Sequence, residues 1–207
     1  MPAVTALVHA LLQKREAELP AARLVALIAL SSATYGAAVG AYVGRFQVLY
    51  NAVKMPVFLL STLGLSFAAM HLFAARELRV RETFAVALEA VATTAVVLGA
   101  LSPLVMLLGL SCPLGDPKAY GFLILLLTGS VAAGGVAGIA RLHRRLRSIR
   151  LTLAWVAIYQ FTGGQMAWLL KPWVSHTFTD DRFLPLRENL KGNFYESVFR
   201  TFIGMFS

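Results

Sequence analysis

Apolar residues come in five blocks, at about 21–44, 56–75, 84–110, 120–140 and 151–170, each bounded by charged or by proline- and glycine-rich stretches. A helix rises ~1.5 Å per residue, so about 20 apolar residues cross a hydrocarbon core of roughly 30 Å. The blocks predict an all-α protein, a polytopic membrane bundle of five transmembrane helices over residues 21–171. The flanking segments are amphipathic. Residues 1–20 hold a short apolar run ending in Lys14, Arg15, Glu16 and Glu18, and predict an interfacial helix. Because its charges follow the apolar part, unlike those of a cleaved signal peptide, this segment is expected to be retained. Residues 172–207 are a polar tail that turns apolar again. There Phe194, Val198, Phe199, Phe202 and Met205 fall at helical spacing, predicting an amphipathic helix with Phe194, Phe199 and Phe202 as a partner-binding face.

The breaks between blocks carry their own signals. Residues 45–55 read as an amphipathic connector at the interface, with Pro56 opening the second helix, because proline in a first turn forfeits no hydrogen bond. Ser102-Pro103 predicts a kink towards the end of the third span. Residues 111–119, with two prolines, Gly115 and Asp116, predict the turn into the fourth.

Composition strengthens the membrane reading: 58% of residues are hydrophobic and 14% charged, against roughly 45–50% and ~25% in soluble domains. The net charge of +9 does not point to nucleic acid, because the basic residues flank the apolar blocks instead of sharing one polar surface. The densest run is Arg141-Leu-His-Arg-Arg-Leu-Arg-Ser-Ile-Arg150. Its arginines, Arg141, Arg144, Arg145, Arg147 and Arg150, predict a cytoplasmic loop that anchors topology, with anionic lipid as an alternative ligand. Lys14, Arg15, Arg23, Arg76, Arg79 and Arg81 fall on the same side, whereas the 111–119 turn carries Lys118 alone; Arg45 and Lys54 of the 45–55 connector weaken the contrast without reversing it. The N-terminus is then cytoplasmic and the C-terminus outside. Cys112 is the sole cysteine, which excludes an intrachain disulfide and a CxxC metal site.

Within the blocks, Gly36, Gly40 and Gly44 form a doubled GxxxG register, and Gly134 and Gly138 a second; both predict close helix packing, within the chain or between copies. Ionisable or strongly polar residues at membrane depth are few: His71, Glu89, Gln160 and Gln165. Glu89 predicts either an ion pair with an arginine of the neighbouring 76–82 loop or a role in ion movement. His71 reads as a packing or headgroup-level residue, since no acidic partner lies nearby in sequence. No HExxH, GxSxG, paired intramembrane aspartates or metal-ligand cluster is present, so neither catalysis nor a metal is expected. No cofactor is expected either, although the apolar surfaces leave room for bound lipid.

The ordered features Tyr35-Gly36…Gly40, Lys54-Met-Pro56, Ser102-Pro103, Tyr120-Gly121-Phe122, Gln165-Met-Ala-Trp168-Leu-Leu-Lys171-Pro172 and Asn193-Phe-Tyr195 resemble a bacterial family of multispanning proteins distantly similar to the Yip1 domain. The resemblance covers nearly the whole chain. It implies five spans, a cytoplasmic N-terminus and action through protein partners without catalysis. The expectation is a non-catalytic scaffold or accessory subunit that contacts membrane lipids and either other membrane proteins or copies of itself. The alternative is a small transporter or channel component with a polar path near Glu89 and Gln165.

Overall fold

The computed structural model describes residues 20–44, 46–74, 80–171 and Phe183. The predicted interfacial helix of residues 1–20, the 76–79 part of the basic loop, and the tail with Phe194, Phe199 and Phe202 lie outside the described residues. Those that are described form five helices and no strand: α1 (Ala21–Gly40), α2 (Gln47–Ala74), α3 (Val80–Ser111), α4 (Pro117–Leu146) and α5 (Ile149–Leu170). In hydrocarbon every backbone N–H and C=O must find its partner within the protein, and a helix achieves this locally.

Four of the helices, α1 to α4, are long and apolar enough to cross a membrane. Their outward faces are apolar too. Leu30, Leu65, Leu107, Leu125 and Leu153, one from each helix in order, are all more than half exposed. Water would disfavour such a surface, whereas lipid matches it. The chain therefore has the build of an integral membrane protein. The fifth helix is 22 residues long, but Gln160, Gln165 and the pair Gly163-Gly164 dilute its apolar character, and it does not join the other four on that criterion.

Two predicted boundaries are corrected. The segment 45–55 is not a separate connector, because α2 starts at Gln47 and Pro56 lies inside it. Pro56 deprives the Ala52 carbonyl of its usual donor. The helix continues through it because Asn51, Lys54 and Met55 are buried against the rest of the bundle, where an unwound backbone would lack partners. Helix α3 runs through Pro103 to Ser111, as one span across Ser102-Pro103 predicts. The second correction concerns the basic run: it is not a loop. Helix α4 extends through Arg141, Arg144 and Arg145 to Leu146, and only Arg147 and Ser148 interrupt the helical path before α5. Arg147 takes a left-handed conformation (φ 51°) to close α4, and the Ser148 hydroxyl accepts from Leu151 N–H to open α5.

Contacts set the register. Gly36 and Gly40 of α1 face Asn51 and Gln47 of α2, so these helices are antiparallel; Gly99 of α3 meets Ser31, and Gly109 meets Tyr42, so α1 and α3 are parallel. Helices α3 and α4 are antiparallel, with Thr94 against Gly134. The Tyr42 hydroxyl donates to the Pro113 carbonyl (3.3 Å), placing the α1–α2 and α3–α4 turns at one end. Helix α1 packs extensively on α2 and α3, α3 also on α4, and α5 on α2 and more lightly on α4. The largest buried side chains, Tyr35, Leu24, Ile28, Met55 and Leu98 among them, fill the space between α1, α2 and α3.

Candidate functional site

The most distinctive chemistry lies where α3 and α4 approach near the end opposite those two turns. Small residues permit the approach. A Cβ on Gly138 would overlap the Thr94 hydroxyl and stand 3.0 Å from the Ala90 carbonyl, and one on Gly134 would stand 3.2 Å from the Thr94 carbonyl. The Thr94 hydroxyl lies 3.0 Å from the Gly134 carbonyl and 3.3 Å from Ala90's, so its single proton serves either helix.

One turn beyond this contact, Glu89 projects from α3 between two arginines spaced four apart on one face of α4. Its Oε2 accepts from Arg141 Nη2 (3.0 Å) and Nε (3.2 Å), and its Oε1 from Arg145 Nη2 (3.3 Å). The Glu89 and Arg141 side chains are only 5% and 9% exposed, while Arg145 is 30% exposed and reaches outward. At this depth the desolvation of an isolated carboxylate would be severe, and two guanidiniums offset it. Of the 76–82 loop, Arg76 and Arg79 lie outside the described residues, and Arg81 is exposed. The described ion pairs come instead from the 141–150 run, because antiparallel pairing of α3 and α4 brings the run back to the level of Glu89.

That partner is accessible to sequence reasoning: Glu89 and Arg141 lie equally far from Gly115, the turn of an α3–α4 hairpin.

The chain matches no family model, no curated protein and no solved structure.

The remaining predicted positions scatter. Gly36 and Gly40 sit against the backbone carbonyls of Asn51 and Gln47, an intrachain contact. Gly44 does not extend that face. It lies in the turn with φ +72°, and a Cβ there would meet nothing within 4 Å, so its use is the left-handed backbone. His71 stacks on Phe67 (centroids 6.0 Å apart), and Phe67 meets Phe84 of α3 edge-on at 5.1 Å. Gln160 is on the exposed face of α5 and Gln165 is half-buried. Helix α5 packs on α2 and α4 but shares no comparable interface with α3, so Glu89 and the two glutamines do not converge. Among the described residues, no group of three or more His, Cys, Asp or Glu side chains gathers as metal ligands would.

Arg144, Arg147 and Arg150 are exposed around the α4–α5 turn. Across that turn His143 Nδ1 lies 3.1 Å from the Thr152 hydroxyl. Thr152 already donates to the Ser148 carbonyl (2.8 Å), so the histidine is the donor. Two buried groups fall outside the sequence-predicted set: Asn51 and Lys54, one helical turn apart on α2 and each at most 6% exposed. The Lys54 ammonium sits 5.7 Å from the Phe183 ring centroid. Their spacing of three, which puts an amide and an ammonium on one face of a largely apolar helix, is the signal that could have found them.

Proposed function

We propose that this chain is a non-catalytic membrane scaffold or accessory subunit, acting through helix packing and its C-terminal tail. The observation that carries the proposal is the use made of the buried charges. Glu89 and Arg141 are occupied with one another and hold α3 to α4, and the polar groups at the other close contact, Thr94 and the Gly134 carbonyl, are likewise engaged with each other. Side chains committed to internal bonds are structural, whereas a substrate path needs groups that face a common space. The transporter reading has less support, because Glu89 and Gln165 sit on helices that do not pack together.

The orientation follows from charge. Arg23, Arg81 and the five arginines of the 141–150 run lie at one end of the bundle, and Lys54, Lys118 and Lys171 near the other. By the positive-inside rule the arginine-rich end is cytoplasmic. With α5 as a fifth span the N-terminus is cytoplasmic and the C-terminus outside, in a Yip1-like arrangement in the inner membrane of a bacterium. The test is purification of the tagged protein at native abundance in mild detergent, with mass in solution and identification of co-eluting chains. A fixed stoichiometry with another membrane protein, lost when residues 193–207 are deleted, is the expected result. A lone monomer that moves a solute in proteoliposomes, and stops doing so as Glu89→Gln, would replace the scaffold by the transporter.

A further inference from the structure

One flank of α3 changes character half-way along. Adjacent helical positions point about 100° apart, so Glu89, Thr93, Val96, Ala100, Pro103 and Leu107, at intervals of four and three, share one stripe. The stripe one position back, through Gly99, meets Ser31 of α1, and the stripe one position ahead, through Ala90 and Thr94, meets α4. Both neighbours accompany α3 along this whole stretch. Nevertheless Glu89, Thr93 and Val96 are only 4%, 5% and 8% exposed, whereas Ala100, Pro103 and Leu107 are open, Leu107 to 65%.

The arginines of α4 cover Glu89, but Thr93 and Val96 need a further cover. Helix α2 is not placed to give it, because its Phe67 meets α3 at Phe84, about 140° round the helix from Glu89, and α5 does not share a comparable interface with α3. From Glu89 to Val96 the buried stretch is about 10 Å long, the width of one helix lying across α3. A helix laid along α3 would hide Ala100 and Leu107 as well.

The chain that leads into α1 starts from the right place. Ser31 lies beside Gly99 and the two helices are parallel, so ten residues back Ala21 stands level with Glu89. Pro20 is extended (φ −55°, ψ 131°) and turns the preceding chain off the α1 axis. Residues 3–12 are apolar apart from Thr5 and His9, enough for about three helical turns. Glu16 and Glu18 follow, within five residues of Ala21.

Those carboxylates match an unbalanced charge. Along α3 and the arginine-rich half of α4 the described acidic residues are Glu82, exposed in the first turn of α3, and Glu89. Glu89 is shared by two guanidiniums, which leaves a net positive charge at a buried seam. Arg145 lies one turn beyond Arg141 and is 30% exposed, so a second carboxylate has access to it.

We propose that residues 3–18 form a helix that crosses the arginine-rich half of α3, with its apolar face over Thr93 and Val96 and with Glu16 or Glu18 on the exposed side of Arg145. A second copy of the chain would also supply apolar cover, but the α1–α3 register brings this chain's own glutamates to the level of Arg145. The contact is independent of the scaffold role.

The test uses the full chain with Cys112→Ser and new cysteine pairs, treated in native membranes with a short bismaleimide. Val4→Cys, Leu7→Cys and Leu11→Cys are each combined with Val96→Cys or, farther along the same stripe, with Leu107→Cys. An intrachain product, identified by mass spectrometry of the monomer band, is expected with Val96→Cys from at least one of the three positions and with Leu107→Cys from none. No product with Val96→Cys, or equal yields with Leu107→Cys, would overturn the docking. A crosslinked dimer in place of the intrachain product would assign the flank to a second copy and overturn it as well. The charge is read from Tm in detergent for Arg145→Gln, Glu16→Gln and Glu18→Gln, singly and combined. Adding the substitution of the pairing glutamate to Arg145→Gln should lower Tm no further than the larger single change, whereas Glu82→Gln should add its own effect in full. Additive losses for both Glu16→Gln and Glu18→Gln would overturn the pairing.

Discussion

At the α1–α2 seam Gly36 and Gly40 let two backbones touch, with the carbonyls of Asn51 and Gln47 where a Cβ would otherwise be. At the α3–α4 seam Gly134 and Gly138 achieve a similar approach, but there the contact continues into a shared threonine proton and a buried carboxylate between two arginines. In lipid, helices gain nothing by hiding apolar surface from one another, so association depends on close packing and on polar groups that have no better partner. The first seam uses packing between two helices joined by a short turn. The second joins longer helices and adds charge, which favours one axial register: a shift of one turn along α4 would leave Glu89 one of its two arginines instead of both.

The largest effect is expected from breaking the charged seam. Glu89→Ala leaves two guanidiniums facing each other and should cost about 3–5 kcal/mol, read as loss of monodisperse protein or a large fall in Tm in detergent. A loss under about 1 kcal/mol would mean that water screens the pair as it does at a surface. Next comes Gly36→Leu, for which the backbone of Asn51 must move; roughly 3 kcal/mol is expected from overpacking, with the α1–α2 hairpin opening as seen by crosslinking between cysteines placed on the two helices. Gly44→Ala touches nothing but forces a side chain onto a left-handed backbone, and should cost about 1 kcal/mol in the same unfolding assay. Smallest is Gly135→Ala, with nothing within 4 Å of its Cβ position; it should be neutral or stabilising by up to about 1 kcal/mol, from helix propensity alone. If Gly135→Ala cost as much as Gly138→Ala, the contrast between neighbouring glycines would fail.

Those two glycines also mark where a sequence stops being legible. Gly134, Gly135 and Gly138 look alike as a small-residue cluster, but only Gly134 and Gly138 face α3, since adjacent helical positions point about 100° apart. Gly44 continues the spacing of Gly36 and Gly40 along the chain and leaves it in space, because α1 ends at Gly40 and the register ends with it. Glu89 stands out from its sequence as a charge within an apolar block. Its described partners lie much farther along the chain than the neighbouring basic loop, and pairing positions about the Gly115 turn, not proximity in sequence, points to them.

What the sequence alone determined was local: the apolar blocks, their lengths, the turn signals around Asp116, and the concentration of arginine at one end. These depend on backbone hydrogen bonding and transfer to hydrocarbon, which act residue by residue. The tertiary structure decided the rest: that Pro56 lies within a helix, that the basic run is largely helical, and that Glu89 meets Arg141 and Arg145. Each depends on the distance between groups remote in sequence, and only the antiparallel packing of complete helices sets that distance.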